Sequence, residues 1–311
     1  MHNLNKNAAF SRIMLLSSMV IFGTIGLLVR YVPLASGELA LYRAVMAVLM
    51  ISAYLLITRR RLDLSGIKKA LPYLCLSGAA IGFNWIFLFE AYKHTSVSVA
   101  TVSYYFAPII VTVISPLLFK EKMTAKGWLC FALSTAGILL ITLTGDLTAG
   151  SNHLVGIGFG LSAACLYAAV ILLNKRMGEL DGIERTLIQF FVATVVMLPY
   201  VALTGGFNLT SLHLPELSAL LVLGIVHTGI AYCLYFSSLP SLSGREVAIL
   251  SYLDPLVAVL CSAFILKEGL TLPQIVGAAL VLGFTLIGEV ELPMGRKRES
   301  KSEKKEKERT S

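Results

Sequence analysis

The sequence predicts an all-α membrane protein of ten transmembrane helices, arranged as two inverted five-helix repeats. Three observations carry that expectation. The composition is too apolar for a soluble chain: of 311 residues, 56% are hydrophobic and 14% charged, with a mean hydropathy of +0.78, where soluble domains hold roughly 25% charged residues. The charges gather in short clusters separated by apolar runs of about 20 residues, the length a helix needs to cross hydrocarbon. The second half of the chain also repeats the first at a fixed spacing.

The apolar runs place the spans at about 12–32, 37–58, 69–91, 96–118, 124–144, 153–174, 184–204, 214–238, 243–266 and 272–291. Short connections separate them, marked by Arg59-Arg60-Arg61, Lys120-Glu121-Lys122 and Gly205-Gly206. Lys and Arg concentrate in the N-terminus (Lys6, Arg12), in the even-to-odd loops (Lys68, Lys69, Lys126, Lys175, Arg176, Arg185 and Arg245 among them) and in the tail. The opposite side has only Arg30, Lys93 and Lys267 near it. Positive charge stays on the cytoplasmic side, so both termini are expected there, in a multi-pass protein of the cell membrane. An even number of spans is then required, and ten fits.

Residues 1–11 read as a cytoplasmic N-terminus and residues 292–311 as a disordered basic tail. From Arg296 to Ser311 the tail holds eight Lys/Arg and four Glu, so it supplies +4 (8 − 4) of the net +8. Beside a membrane helix, such charge suits anionic lipid headgroups rather than nucleic acid. The lipid bilayer is therefore an expected partner and nucleic acid is not. The first apolar run is a full span without a small-residue cleavage site, and is expected to remain in the mature protein. Cys75, Cys130, Cys165, Cys233 and Cys261 all fall in apolar segments without a CxxC pair, and read as reduced, buried small hydrophobes.

Sliding the chain against itself by 147 residues (229 − 82) aligns Gly82 with Gly229, Phe89 with Phe236, Tyr105 with Tyr252 and Pro108 with Pro255. The same offset aligns Ser115 with Ser262, Lys120-Glu121 with Lys267-Glu268, and Thr124 with Thr271. An odd number of spans per repeat makes the second enter the membrane from the opposite face. The charge pattern agrees: Lys120-Glu121 sits in a positive loop, its counterpart Lys267-Glu268 on the poorly charged side. The repeats are expected at 12–145 and 153–291. Inverted repeats let two similar halves exchange conformations and alternate access to a site between them.

Ser251-Tyr252-Leu253-Asp254-Pro255, then an apolar run, Lys267-Glu268, Thr271 and Gly277-Ala278-Ala279, resembles the second repeat of EamA-type transporters, within the drug/metabolite transporter superfamily. Tyr105-Phe106-Ala107-Pro108, Lys120-Glu121 and Thr124 are the matching part of the first repeat. Arg43 resembles an arginine found near the start of the second span in that family. The resemblance covers roughly residues 12 to 290 and implies a ten-helix secondary carrier of a small metabolite. It also implies a central cavity lined by the third, fourth, eighth and ninth helices, with parts of the first and sixth. Two departures stand out. Ala107 occupies the position of Asp254, and Tyr42-Arg43 occupies that of Gln189-Phe190.

A polar side chain in hydrocarbon needs a partner or a cavity. Asp254, directly before Pro255, is a candidate site for a proton or a cationic substrate group, or else an acid satisfied at a helix kink. His227, mid-span, either relays protons or binds substrate, or packs as a neutral hydrogen-bonded histidine. Asn84, beside Trp85, contacts substrate or bridges helices; Gln189 reads as packing. Arg43 snorkels, pairs with Glu38 or attracts an anionic group. Glu90 and Lys93 are spaced to pair. Trp85, Tyr104, Tyr105, Tyr232, Tyr235 and Tyr252 fall at middle depths rather than in interfacial belts, where they either line a cavity or pack in the core.

Gly156-Ile157-Gly158-Phe159-Gly160 lacks a preceding strand and the full GxGxxG spacing, so it reads as a surface for close helix packing, not a nucleotide site. No P-loop, hydrolase pattern, cofactor motif or metal-ligand set stands out, and the chain is not expected to be an enzyme. The sequence thus points to a secondary active transporter working by alternating access. Its most specific expectation is a proton-coupled exporter of amino acids or related metabolites. An uptake carrier for an amine or other nutrient, and a non-transporting membrane enzyme or sensor, are the alternatives.

Overall fold

A computed structural model describes residues 2–60, 62–119, 125–144, 152–177, 180–238, 242 and 250–289. Arg61, Lys120, Glu121, Lys122, Thr124, Arg245 and the tail from 292 lie outside the described residues. In chain order the helices are α1 (His2–Gly23), α2 (Ile25–Val29), α3 (Ser36–Ile57), α4 (Leu64–His94), α5 (Val97–Tyr104), α6 (Ala107–Phe119) and α7 (Ala125–Thr144). The second half has α8 (Asn152–Arg176), α9 (Gly182–Thr204), α10 (Leu214–Gly224), a π-helical turn (Ile225–Ile230), α11 (Ala231–Ser238), α12 (Leu253–Phe264) and α13 (Leu272–Glu289). Among the described residues there is no strand.

These helices make ten spans. α1 with α2 forms the first, α5 with α6 the fourth, and α10, the π turn and α11 the eighth. α12 and the helical residues 250–251 before Tyr252 are the described part of the ninth. Six spans are long and apolar enough to cross a membrane by length and composition, among them Ala9–Val29, Ser36–Ile57 and Leu214–Ser238. Large apolar side chains such as Leu56, Leu139, Phe191 and Val195 point outward, as a lipid-facing surface requires. The third span is longer than its apolar run. α4 starts at Leu64, where Asp63 caps it by accepting from the N–H groups of Ser65 at 3.2 Å and Gly66 at 3.1 Å. The Gly66 N–H, then the Ser65 hydroxyl, hold the Asp63 carboxyl below the usual carboxylate range. Lys68 and Lys69 ride on this exposed first turn, which is why hydropathy alone starts the span later.

The spans break where the sequence gives cause. In the fourth, the helix opens between Tyr104 and Ala107; in the ninth it opens at Tyr252. Both openings precede a proline, Pro108 and Pro255, and Tyr105 and Tyr252 are repeat equivalents. Proline has no N–H, and its ring crowds the carbonyl four residues back. The first span breaks at Thr24, whose hydroxyl donates to the Ile21 carbonyl at 2.8 Å, a back-bond that bends helices.

Packing follows the repeat. α3 packs on α9, α7 on α13 and α5 on α12, each uniting equivalent spans of the two halves. The α4–α8 contact in turn has its equivalent in the α1–α11 contact. The agreement reaches single residues. A Cβ on Gly82 would lie 3.1 Å from Met197 Cγ, and one on Gly229 would lie 2.7 Å from Met50 Cγ. Met50 and Met197 are themselves 147 apart (197 − 50). Gly156 and Gly160 back onto Thr95 and Ser103, which is the close packing expected of them, while Gly158 faces open space. The expectation of five buried cysteines needs correcting: Cys130 and Cys261 are buried, but Cys75 and Cys165 are exposed on the outside of the bundle. An apolar surroundings pattern cannot separate core from lipid, since both are apolar.

At the end of the bundle opposite the start of α1, Glu268 ties the halves together. It pairs with Arg30 at 2.5 Å and accepts from the Val97 N–H at 3.0 Å and from the Ser262 hydroxyl. Arg30 also donates to the Thr95 carbonyl at 2.8 Å. Met177 occupies the repeat equivalent of Arg30 (177 − 30 = 147), and Glu121, the equivalent of Glu268, lies outside the described residues. Glu268→Ala removes an acceptor from three donors, one a cation only partly open to solvent. It is expected to lower the melting temperature in detergent by roughly 5–10 °C, following a loss of about 2–3 kcal/mol; Glu268→Gln, which keeps one oxygen to accept from the Val97 N–H and the Ser262 hydroxyl but loses the charge, is expected to fall between it and the unsubstituted chain. Melting curves of the purified proteins check both.

Candidate functional site: a central cavity with two arginines and one carboxylate

A cavity of about 490 Å3 lies inside the bundle, within the roughly 300–1,000 Å3 usual for small-molecule sites. Its wall draws on both halves. Besides the helices that the resemblance implied, the second and seventh spans contribute, through Arg43 on α3 and Arg185, Gln189 and Phe190 on α9. They enter because α3 and α9 pack on each other and on α4.

Asn84, Trp85, Tyr105, Tyr232, Tyr252, Asp254 and Arg43 all face this cavity, as do Tyr104 and Tyr235. Asp254 accepts from the Tyr105 hydroxyl at 2.5 Å. The break before Pro108 and the break before Pro255 bring these two side chains together from facing helices, α5 and α12. Ala107, at the equivalent of Asp254, is fully buried, so the carboxylate stands on one side only. The aromatic residues form two groups: Trp85 against Phe190 at 5.1 Å with Phe190 edge-on to Tyr232 at 5.0 Å, and Tyr104 against Tyr167 at 5.3 Å between centroids.

Asn84 and Gln189 bridge helices while facing the cavity. Asn84 Nδ2 donates to the Ala163 carbonyl of α8 at 2.6 Å. Gln189 Nε2 donates to Ser77 Oγ at 2.7 Å and Asn174 Oδ1 at 2.8 Å. Glu90 and Lys93 pair at 3.4 Å.

Arg43 neither snorkels nor pairs with Glu38. Glu38 instead accepts from the Tyr42 hydroxyl at 2.9 Å and the Asn208 backbone N–H at 2.5 Å. Arg43 is 2% exposed. Its Nε donates to Thr228 Oγ1 at 3.0 Å, and its Cζ lies 5.0 Å from the centroids of both Trp85 and Phe89. Those two rings are four residues apart on α4 and so share a face.

His227 is not on the cavity wall. The π turn carries its Nδ1 to 3.3 Å from the Val222 carbonyl, five residues back. Its Nε2 lies 2.9 Å from Thr24 Oγ1. His227 therefore joins the irregular turn of the eighth span to the break in the first. Mid-span position does not reveal this, because a π turn shifts the direction in which a residue points.

Phe89, Thr228 and Arg185 were not singled out from sequence. Phe89 was findable as the residue four after Trp85, and Arg185 as the repeat equivalent of Glu38 (185 − 38 = 147). Thr228 gave no signal, since one threonine in an apolar span ordinarily bonds its own helix.

The comparisons with known proteins agree with this architecture. The model of the EamA-like transporter family matches twice, over residues 10–143 and 154–287. The uncharacterized transporter YxxF of Bacillus subtilis is 30% identical, covering 82% of this chain and 81% of its own. An uncharacterized transporter of Archaeoglobus fulgidus is 29% identical, over 70% of this chain and 76% of its own, and protein PecM of Dickeya dadantii is 26% identical, over 68% and 71%. A solved crystal structure superposes with a TM-score of 0.62 at 15% identity, covering 89% of this chain and 96% of the other, a likeness of fold alone. With the family pattern matched once in each half of a ten-helix membrane bundle, this chain belongs to the EamA-like transporter family.

Proposed function

We propose that the protein is a secondary active transporter that exports amino acids or related metabolites from the cell by alternating access. The two repeats, about 12–145 and 153–291, would be its moving parts, with both termini cytoplasmic. The observation that carries this reading is the central cavity, which is lined from both halves and holds a carboxylate, Asp254, bonded to Tyr105 at 2.5 Å. Asp254 takes a proton or the ammonium group of the substrate, and Tyr105 orients it. Trp85, Tyr232 and Tyr252 supply ring faces for an apolar substrate body, and Asn84 an amide. His227 acts at the Thr24 break rather than on substrate. The charge pattern of the loops supports the orientation. The same carboxylate also fits an amine taken up as a nutrient, so direction must be measured.

The test is reconstitution in liposomes with labelled amino acids, amines and nucleosides, with and without an imposed pH gradient. Gradient-dependent movement of amino acids is expected. Movement of amines alone would favour the uptake reading, and no flux of any compound would count against a carrier.

A further inference from the structure

Arg43 is a buried cation that the surrounding protein leaves half used. Burying a guanidinium costs several kcal/mol unless partners offset it. Two offsets are present: the rings of Trp85 and Phe89, each 5.0 Å from Cζ, and the Thr228 hydroxyl at Nε. Neither takes the η-nitrogens. Among the described residues no acceptor or carboxylate reaches them, and Glu38, the nearest acid in sequence, is engaged by Tyr42 and Asn208. Arg43 lines the cavity. Four N–H donors on a rigid plane are thus presented to a space large enough for a small molecule. That fork matches the two oxygens of a carboxylate.

The rest of the cavity bears on what else such a ligand carries. Asp254 lines the same cavity as Arg43, and so do Tyr92 and Tyr232. With Arg43 and Asp254 as poles and Arg185 a second cation on the wall, the aromatic-walled space is complementary to a molecule bearing a carboxylate and an ammonium on an apolar body.

We propose that Arg43 determines specificity by gripping the carboxylate of the transported molecule, so that free amino acids are accepted and compounds lacking a free carboxylate are rejected. This deepens the carrier reading and rests on it. The two rings and the Thr228 bond hold the guanidinium in place, so the fork is positioned before the ligand arrives. A ligand without the carboxylate displaces water from the η N–H groups and leaves them unpaired. That penalty discriminates more strongly than the loss of one contact.

The cavity carries its own reporter. The chain has two tryptophans, and Trp128 lies on the exposed side of α7, 56% exposed. Trp128→Phe therefore leaves Trp85, against the guanidinium, as the sole tryptophan. The full-length chain with that change is titrated in detergent with phenylalanine, leucine and threonine, and with the methyl ester of each. At least one free acid is expected to change Trp85 emission saturably, with its ester weaker by on the order of 100-fold. Arg43→Gln is expected to abolish that difference and Arg43→Lys to keep part of it. An ester that binds as well as its acid, no binding of any probe, or an unaltered preference in a folded Arg43→Gln protein would each overturn the proposal. If Arg43→Gln does not fold, the contrast between acid and ester in the arginine-containing chain decides alone. The two readings fail separately. An acid preference without flux in liposomes refutes the carrier, whereas flux with no effect of esterification refutes the role of Arg43.

Discussion

Replacing Asp254 with asparagine is expected to lower transport of the identified substrate by on the order of 100-fold, and to remove the response of the remaining flux to an imposed pH gradient. Asparagine keeps the size of the side chain and an oxygen to accept the Tyr105 hydroxyl, which lies 2.5 Å from the carboxylate. Helix packing at the ninth span should therefore survive. What is lost is the negative charge and the ability to take up a proton. Among the described residues no second acid lines the cavity, and the equivalent position in the first repeat is Ala107, buried and apolar. Tyr105→Phe is the milder companion. It removes one donor to a charged acceptor, worth roughly 1.5–3 kcal/mol, and leaves the charge, so the gradient response is expected to persist at a reduced rate. Initial rates in liposomes across a series of pH gradients separate the two. An Asp254→Asn protein with unchanged rate and gradient dependence would remove this carboxylate from the mechanism.

Gly23→Val is expected to be the most disruptive single change in the helix framework. A Cβ at Gly23 would lie 2.6 Å from the Asp254 backbone carbonyl and 2.7 Å from Val257 Cβ. These are main-chain and branched-side-chain atoms that cannot swing away. The first span would have to move off α12 next to its own break at Thr24, in a membrane where close approach through small residues drives helix association. Overpacking alone costs about 1–3 kcal/mol, and a branched side chain against backbone stands at the upper end. The variant is expected to melt at least roughly 5 °C lower in detergent and to lose transport even where it remains folded. Gly158→Val is the control. Its Cβ meets nothing within 4 Å, so melting temperature and transport should both be retained. Equal behaviour of the two variants would show that the Gly23 contact is not limiting.

Both expectations depend on places where the chain departs from its own regularity. The repeat was legible because Tyr105 and Pro108 recur as Tyr252 and Pro255, and the structure breaks both spans there. The bundle of ten helices was legible for a simple reason: hydrocarbon leaves a backbone no partners but its own, so apolar runs of the right length become helices. Most of the cavity aromatics could be named because Tyr and Trp at middle depth stand out against their usual interfacial position.

Burial, by contrast, was not legible. Cys75 and Cys165 face outward where Cys130 and Cys261 face inward, and apolar composition is the same in both settings. Arg43 left several readings open in sequence, because a long side chain can reach water, an acid or a cavity from one backbone position. Its direction depended on Thr228, 185 residues away in sequence, and on the engagement of Glu38 elsewhere. His227 left the cavity wall because a π turn altered the direction of one short stretch. The sequence by itself determined the helices, their inverted pairing and which residues were polar at depth, since these depend on local hydropathy and on a repeat within the chain. Only the tertiary structure decided which of those polar residues face one another, because that depends on contacts between distant spans and on the few turns where the helices break.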